Sequence, residues 1–301
     1  MQSPATLSAQ AKRFLADAPQ RPPTRSLKSL PQIRAAGQQR ALQNAARIVR
    51  ATGVNLKTSR IGEVGCLEVT PANSLADWSI LYGFGGGFVE GSAVEDLQII
   101  AALCQMTGAR VIAPEYRLAP EHPWPAAIED AFAVYARMAE TPFAIVGESA
   151  GGNLALCLMQ RACAEGMTLP RATALLSPWC DLTADSASLA ANDGRDPALT
   201  AQSSRFAALH YLAGHAATDP EASPLFGAFD QSWPPTIITT GTRDLLLHQA
   251  TDLAHRMQGS GVRVDLRVWE DLWHVFEWYE DIPEAGRSLQ QIAAFLAENM
   301  G

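Results

Sequence analysis

The most constraining feature of the sequence is a short apolar run that ends abruptly in a Gly-Glu-Ser-Ala-Gly pentapeptide. The run covers residues 143–146, the pentapeptide covers residues 147–151, and a helical pattern of small residues extends from Ala150 to about Glu165. A serine placed between a strand and a helix in this way sits on a sharp, strained turn with its hydroxyl above the sheet. Side chains two residues before and two residues after Ser149 would collide, and both positions are glycine.

The pentapeptide alone is a weak signal. Glycine and serine are common, so a chain of this length contains the pattern by chance about one time in ten. A tight turn in which the serine caps the following helix is the alternative explanation. The remainder of the chain has to distinguish the two.

The composition is that of a folded protein with a large core. Of the 301 residues, 48% are hydrophobic and 18% are charged, and the formal net charge is −8. This length suits one large α/β domain with insertions, or two domains. An acidic chain without a Lys/Arg cluster disfavours nucleic acid and anionic membrane as partners.

The cysteines and the N-terminus favour a cytoplasmic location. The five cysteines are odd in number, form no Cys-x-x-Cys pair and lie mostly in apolar runs, which predicts buried, reduced thiols in a reducing compartment. The first residues lack the basic and apolar regions of a signal peptide, and no apolar run approaches membrane-spanning length.

Strand and helix patterns alternate along most of the chain. Strands are predicted at residues 54–69 (one or two strands), 77–82, 111–114, 143–148, 172–177, 236–240 and 262–269. Helices are predicted between them, including one that Ser92 and Glu95 would start as a capping box and Gly108 would end. Such alternation predicts a mainly parallel sheet covered by helices on both faces.

Two regions depart from this alternation. Residues 1 to about 50 resemble helical pieces broken at Pro19, Pro22-Pro23 and Pro31, with too few apolar residues for a core of their own. Residues 182–233 are rich in Ala, Ser and Asp, which suits a surface insertion, with one helical stretch near residues 201–213.

Residues suited to nucleophilic catalysis follow the predicted strands. In a parallel sheet, sites form at the carboxyl ends of strands, and Ser149, Asp244 and His274 all lie just past such ends. A serine hydroxyl needs a histidine to accept its proton and an acid to orient that histidine. The order Ser149, Asp244, His274 is the order used on a strand–turn–helix serine scaffold. The alternatives are a packing role for His274, a helix N-cap role for Asp244, and Asp181 as the acid.

A glycine-rich loop follows the strand at residues 77–82. Its sequence, Gly83-Phe84-Gly85-Gly86-Gly87-Phe88, fits neither a dinucleotide fingerprint nor a phosphate-binding loop. The N–H groups of Gly86 and Gly87, with that of Ala150 at the start of the next helix, can converge on a carbonyl oxygen and stabilise an oxyanion. The alternative is an ordinary glycine-rich turn. No His-Glu-x-x-His motif or cysteine ligand set is present, so we expect neither a metal nor a cofactor.

With these residues in place, the chain resembles the hormone-sensitive-lipase-like family of α/β-hydrolase esterases from about Trp78 to the C-terminus. Residues 147–153 (Gly-Glu-Ser-Ala-Gly-Gly-Asn) are similar to the family's nucleophile motif. Residues 116–123 (Tyr-Arg-Leu-Ala-Pro-Glu-His-Pro), with Pro-Ala-Ala at 125–127, are similar to a very specific family segment, and residues 177–182 also resemble the family.

The resemblance implies an α/β-hydrolase fold with a mostly parallel central sheet, helices on both faces and a helical cap. The expected parts are N-terminal cap helices at 1–50, the first part of the core at 51–184, a cap insertion at 185–233 and the second part of the core at 234–301. It also implies structural roles for Asp181 and His122, which favours Asp244 as the acid. A homodimer formed through an edge strand is a further family expectation.

The function that these observations favour is that of a serine carboxylesterase acting on small esters of short to medium acyl chains, without a cofactor. Ser149 would be the nucleophile, His274 the general base and acid, and Asp244 its orienting partner, while Gly86, Gly87 and Ala150 would hold the oxyanion. Rival functions are those of an amidase, deacetylase or transferase with the same triad, or a catalytically silent binding protein.

One departure from the family pattern concerns the glycine loop. The customary His-Gly-Gly-Gly is Phe84-Gly85-Gly86-Gly87 here, and Gly83 replaces a bulky residue. The family histidine is thought to brace the loop through a hydrogen bond, which Phe84 cannot form, although Phe84 can brace it by packing. Glu148, in place of a commoner Asp, is a milder change.

Overall fold

A single sheet of eight strands organises the chain in the computed structural model, which describes residues 7–18, 25–73, 76–184 and 186–300. The strands are β1 (Val54–Ile61), β2 (Val64–Pro71), β3 (Ser79–Gly83), β4 (Arg110–Pro114), β5 (Phe143–Glu148), β6 (Ala172–Leu176), β7 (Thr236–Gly241) and β8 (Val264–Trp269). Their order across the sheet is β1-β2-β4-β3-β5-β6-β7-β8.

Most of the sheet is parallel, as the alternation predicts. Only β1 with β2 and β2 with β4 pair antiparallel. Strands β3, β5, β6 and β7 are buried along their whole length, which is why they appear in the sequence as continuous apolar runs. The register sets Gly83 opposite Gly147 and Glu148 opposite Leu176, so the loops that follow β3, β5 and β6 emerge side by side.

Nine α-helices lie within the described ranges. They are α1 (Ala9–Asp17), α2 (Leu30–Thr52), α3 (Leu97–Thr107), α4 (Ala126–Met138), α5 (Ala150–Ala164), α6 (Ala187–Asn192), α7 (Ala201–Leu212), α8 (Leu247–Gly259) and α9 (Pro283–Met300). Helices α4 and α5 pack together on one face of the sheet, and α3 and α9 pack together on the other. The predicted layering, and with it the α/β-hydrolase fold class, is confirmed.

The predicted start of α3 is wrong. The helix begins at Leu97 with Asp96 before it, and Ser92 and Glu95 do not cap it. Instead, the Ser92 hydroxyl donates to the Glu95 carboxylate at 3.1 Å. The predicted end is correct, because Gly108 adopts the left-handed conformation after Thr107.

The N-terminal segment is less broken than the prolines suggested. Pro31 does not interrupt a helix but lies in the first turn of α2, where its missing N–H leaves no bond unmade. Helix α2 then continues without interruption for 23 residues. Pro19, Pro22 and Pro23 lie outside the described residues.

Helix α1 packs against the C-terminal part of the chain. Phe14 stacks on Trp273 with ring centroids 4.5 Å apart, and Ala11 is buried in the same cluster. The Ser8 side chain caps α1 at Ala11 and donates to Glu284 at 2.8 Å. The first described helix therefore contacts the residue that precedes His274.

The cysteine prediction holds for four of the five thiols. Cys66, Cys104, Cys157 and Cys180 are buried and free, but Cys163 is free and exposed, because it lies on the outer side of α5. None of the helices in the described parts of the chain is both long and apolar enough to traverse a lipid bilayer.

Candidate active site

Ser149 occupies a strained turn between β5 and α5. Its backbone has φ 53° and ψ −118°, a conformation that side chains other than glycine rarely adopt. The flanking glycines make this turn possible. A Cβ on Gly147 would collide with the carbonyl of Gly151, and a Cβ on Gly151 would collide with the carbonyl of Gly83. The hydroxyl is thereby fixed at the carboxyl end of the sheet.

The structure brings Ser149, His274 and Asp244 into one hydrogen-bonded chain. His274 Nε2 lies 2.9 Å from Ser149 Oγ, and His274 Nδ1 lies 3.0 Å from Asp244 Oδ1. Because an ionised carboxylate only accepts hydrogen bonds, Nδ1 carries the imidazole proton and Nε2 is free to accept from the serine hydroxyl. All three residues are buried.

Asp244 lies in the turn between β7 and α8. Its Oδ2 accepts from Thr240 Oγ1 at 2.9 Å, and its Oδ1 accepts from the Leu246 N–H at 2.8 Å. Helix α8 starts only at Leu247, after Leu246 in the cap position, so Asp244 is not the N-cap residue of that helix.

Asp244 and His274 shift each other's ionisation in the expected directions. Burial alone would raise the pKa of Asp244, but the nearby imidazole and several hydrogen bonds hold that pKa below its ordinary value. Burial disfavours the imidazolium form of His274, but the carboxylates of Asp244 and Asp196 outweigh this effect and raise the pKa of His274. The pair is arranged to stabilise a protonated histidine.

The two alternatives to these assignments place their side chains elsewhere. Trp273 and Phe276 fill a hydrophobic cluster on either side of His274, while the imidazole itself faces Ser149. The Asp181 carboxylate accepts from the Thr183 N–H at 2.8 Å and the Thr183 hydroxyl at 2.7 Å. Within the described chain, no hydrogen bond joins Asp181 to His274.

The glycine loop runs beside the serine. Gly86 and Gly87 have positive φ values of 97° and 63°, and the N–H groups of Val89 and Glu90 close the turn by donating to the Gly86 carbonyl. The N–H groups of Gly86, Gly87 and Ala150 donate to no acceptor among the residues that the structure describes. Unused donors next to a serine hydroxyl are what an oxyanion site requires.

Phe84 braces the loop by packing. Its ring is buried and stacks on Tyr116, with the ring centroids 4.0 Å apart and the planes 6° from parallel. The Tyr116 hydroxyl donates to the Phe84 carbonyl at 2.6 Å. A single tyrosine from the segment at 116–127 thus holds both the side chain and the main chain of Phe84.

Ser149 and His274 open onto a cavity of about 410 Å³. The glycine loop forms one wall of this cavity. The N-terminal segment contributes Arg25, Ile33, Arg34 and Arg40 to its lining, and the insertion contributes Ala198, Leu199, Ser203, Ser204 and Ala207. The cavity is therefore bounded by the sheet and by both segments that depart from the strand–helix alternation.

Asp196 is a site residue that the sequence did not reveal. It is almost fully buried, and its Oδ2 accepts from the N–H groups of Leu245 at 2.9 Å and His274 at 3.3 Å. Burial and the nearby Asp244 raise the pKa of Asp196 to about 7. In sequence, Gly194-Arg195-Asp196-Pro197 indicates only a turn in the insertion, so no local signal identifies it.

A family model described as an α/β-hydrolase fold matches residues 80–278. Among curated relatives, an acetyl-hydrolase from Streptomyces hygroscopicus is 33% identical over 248 residues, which cover 77% of this chain and 83% of that protein. An esterase from Acinetobacter venetianus is 32% identical over 249 residues, which cover 80% of this chain and 82% of that protein.

Solved structures agree with this result. The esterase EstE5, in crystals soaked with p-nitrophenyl butyrate, superposes with a TM-score of 0.87 at 27% identity over 97% of this chain and 99% of EstE5. A hormone-sensitive lipase from a metagenome library has a TM-score of 0.85 at 30% identity, with 97% and 96% of the two chains covered. The chain therefore belongs to the α/β-hydrolase family, and within it to the group of hormone-sensitive-lipase-like esterases.

Proposed function

We propose that this protein is a serine carboxylesterase that hydrolyses short- to medium-chain carboxylic esters through an acyl-enzyme intermediate. The observation that carries the proposal is the hydrogen-bonded chain from Ser149 through His274 to Asp244, which ends at a cavity wall with unused backbone N–H donors. The names and reactions of the esterase relatives support the same reaction class.

In the first half of the reaction, His274 Nε2 takes the proton of Ser149 as Oγ attacks the ester carbonyl carbon. The carbonyl π electrons move onto oxygen, and the N–H groups of Gly86, Gly87 and Ala150 donate to the resulting oxyanion. Asp244 stabilises the imidazolium that forms. The tetrahedral intermediate then collapses as His274 gives its proton to the leaving alcohol oxygen.

The second half repeats this chemistry with water. His274 removes a proton from a water molecule that attacks the acyl-enzyme carbonyl, and the same donors hold the second oxyanion. When that intermediate collapses, the proton returns to Ser149 Oγ and the carboxylic acid leaves. Each step uses only groups of this chain, the ester and water.

The acyl-chain range follows from the size of the cavity. A volume of about 410 Å³ lies in the lower part of the range for small-molecule sites, which suits short acyl groups better than long ones. The relatives point the same way, because one is named an acetyl-hydrolase and EstE5 was soaked with a butyrate ester.

A cap formed by residues 1–50 and 185–233, over a core of residues 51–184 and 234–301, belongs to the same proposal. Its support is that both segments line the cavity above Ser149. The aliphatic and aromatic side chains that they contribute would then select the acyl group, and the core would carry the chemistry.

Hydrolysis of p-nitrophenyl acetate, butyrate and longer esters tests this function. The wild type should be active, with kcat/KM highest for the shorter esters, and Ser149→Ala should lose nearly all activity. Ser204→Ala is the matched control, because Ser204 lines the same cavity but makes no hydrogen bond to His274 among the described residues. Undiminished turnover by Ser149→Ala would contradict the mechanism, and an inert wild type that still bound a small ligand would favour a receptor.

A further inference from the structure

Two buried carboxyl groups that the reaction does not use lie beside the serine turn. Glu148 is the last residue of β5, directly before Ser149, and Asp96 precedes the first residue of α3. Both side chains are about 6% exposed, and both reach the wall of the active-site cavity. Neither forms an ion pair with any arginine, lysine or histidine in the described chain.

Glu148 is in direct contact with the glycine loop. The space where Gly85 would carry a side chain is occupied by the Glu148 carboxyl group, so a Cβ at Gly85 would collide with it. The Gly85 N–H faces both carboxyl groups and stabilises their negative charge. Since Gly85 directly precedes Gly86 and Gly87, the carboxyl pair supports the base of the oxyanion loop.

The partners of Asp96 are suited to an ionised carboxylate. The Tyr82 hydroxyl donates to Asp96 Oδ2 at 3.0 Å, and the Trp278 side chain lies within hydrogen-bonding reach. Glu148 is its remaining partner. Since two carboxylates in contact repel strongly, the pair must share a proton to coexist in this buried position.

Burial and the neighbouring acids determine which carboxyl keeps that proton. Burial raises the pKa of Asp96 to about 6, and burial together with the Asp96 charge raises the pKa of Glu148 well above its ordinary value. Glu277, from the short helix Phe276–Trp278, adds a third negative influence on Glu148. At neutral pH, Glu148 is therefore the protonated member and Asp96 the charged one.

The other groups facing the pair do not change this result. Glu95 lies beside Asp96 on the same turn, and Glu115 follows β4. Tyr82 and Tyr116 are buried next to the pair and stay neutral, because burial and these carboxylates raise the pKa of both phenols well above the ordinary value. Arg40, from α2, acts on Glu95.

We propose that Glu148 is held as a neutral carboxylic acid that donates its proton to Asp96, and that this pair positions the Gly85–Gly87 loop for oxyanion binding. The inference rests on the proposed function, because it assigns the pair to the site that binds the ester oxyanion. Glu148 and Asp96 are positioning residues, since they act through Gly85 and not on the substrate. When alkaline pH removes the shared proton, the two carboxylates repel each other beside Gly85, and kcat should fall.

Four variants separate this role from simple packing. In Glu148→Gln an amide N–H replaces the acid proton and should still donate to Asp96, so kcat should stay within about threefold of the wild type while the alkaline fall disappears. Glu148→Ala removes the support and should lower kcat about ten- to a hundredfold with a smaller change in KM, since loss of one oxyanion donor costs about 10²–10³ in kcat. Asp96→Asn should lower kcat in the same direction. Glu95→Gln is the matched control, because Glu95 packs on Gly37 and not on Gly85.

The decisive measurement is infrared difference spectroscopy of the resting protein at neutral pH. The wild type should show a protonated-carboxyl C=O band that Glu148→Gln lacks and Glu95→Gln retains, and this band should decrease over the pH range in which kcat falls. An active wild type without that difference, or a Glu148→Gln variant with the wild-type alkaline fall, would overturn the inference. Failure of the proposed esterase function is distinguishable, because it would leave the wild type inactive while the infrared difference persisted.

Discussion

His274 Nε2 lies 2.9 Å from Ser149 Oγ, although 125 residues separate them in the chain. The contact depends on two strand ends. β5 delivers the serine turn, and the loop after β8 delivers the histidine, so the parallel sheet aligns groups that the sequence keeps far apart. Asp244, from the loop after the intervening strand β7, completes the chain of hydrogen bonds.

Replacing Asp244 by Asn should reduce kcat by about 10⁴, because an amide at that position favours the wrong histidine tautomer. Steady-state kinetics with p-nitrophenyl butyrate measure this. Asp181→Asn is the matched control, since its carboxylate bonds to Thr183, and it should stay within about tenfold of the wild type. Equal losses in the two variants would remove the reason to prefer Asp244.

The acid limb of the pH profile should be displaced upward. His274 must be neutral to accept the Ser149 proton, so kcat/KM falls as pH drops through the pKa of His274 in the free enzyme. Asp244 and Asp196 outweigh burial and raise that pKa, so the midpoint should lie above the ordinary value of about 6.5. A midpoint at or below the ordinary value would show that the carboxylates do not control this histidine.

Asp196→Asn should move the same midpoint to lower pH. The substitution removes a negative charge next to His274 while an amide oxygen can still accept from the Leu245 and His274 N–H groups. The pH dependence of kcat/KM measures the shift, and Asp230→Asn, on the exposed surface, serves as the control that should leave the midpoint unchanged. An unchanged midpoint in Asp196→Asn would limit Asp196 to a structural role.

The contacts of Phe84 should contribute to stability and to rate. Phe84→Ala should lower the free energy of unfolding by about 3–5 kcal/mol, because it leaves a cavity beside the buried Tyr116 ring. Tyr116→Phe keeps the stacked ring but loses the hydrogen bond to the Phe84 carbonyl, and should cost about 1 kcal/mol. Denaturant unfolding measures both changes.

The same two variants separate packing from hydrogen bonding as the brace of the oxyanion loop. If packing is the main brace, kcat should fall more in Phe84→Ala than in Tyr116→Phe. The opposite order would assign the brace to the tyrosine hydroxyl.

The buried carboxyl pair should make the protein less stable as pH rises. The folded-state pKa of Asp96 is raised to about 6, and that of Glu148 is raised further, so the folded state binds more protons than the unfolded state over this range. The stabilisation is complete below the unfolded pKa values and is lost as pH rises through the folded ones. Asp244, with its lowered pKa, acts in the opposite direction, so the wild type must be compared with a variant.

That comparison uses Asp96→Asn/Glu148→Gln, which has no proton to lose at this position. Its free energy of unfolding, measured in denaturant at several pH values, should decline less with rising pH than that of the wild type. Parallel curves for the two proteins would show that the pair does not titrate as described.

The elements that sequence patterns revealed are those whose burial is uniform. Strands β4, β5, β6 and β7 lie where the apolar runs place them, to within about one residue, because both faces of a central parallel strand are covered. β8 starts at Val264 and not at Val262, because the Val262 N–H instead donates to the Met257 carbonyl in the turn after α8.

The residues that the sequence did not reveal are buried acids whose partners come from distant segments. Asp196 reaches His274 across 78 residues, and Asp96 bonds to Tyr82 on β3 and contacts Glu148 on β5. No periodicity or turn signal encodes such contacts. The same tertiary contacts explain the wrong start for α3, since Asp96 turns inward where a capping box at Ser92 had been expected.

Mass spectrometry after treatment with an organophosphate ester tests the central claim most directly. An activated serine should be phosphorylated with loss of the leaving group, so peptide mapping should find one stoichiometric adduct, on Ser149, together with full loss of esterase activity. His274→Ala should suppress the adduct, because the hydroxyl then lacks its base. An adduct on another serine with activity abolished, or an active enzyme with Ser149 unmodified, would contradict the assignment of Ser149 as the nucleophile.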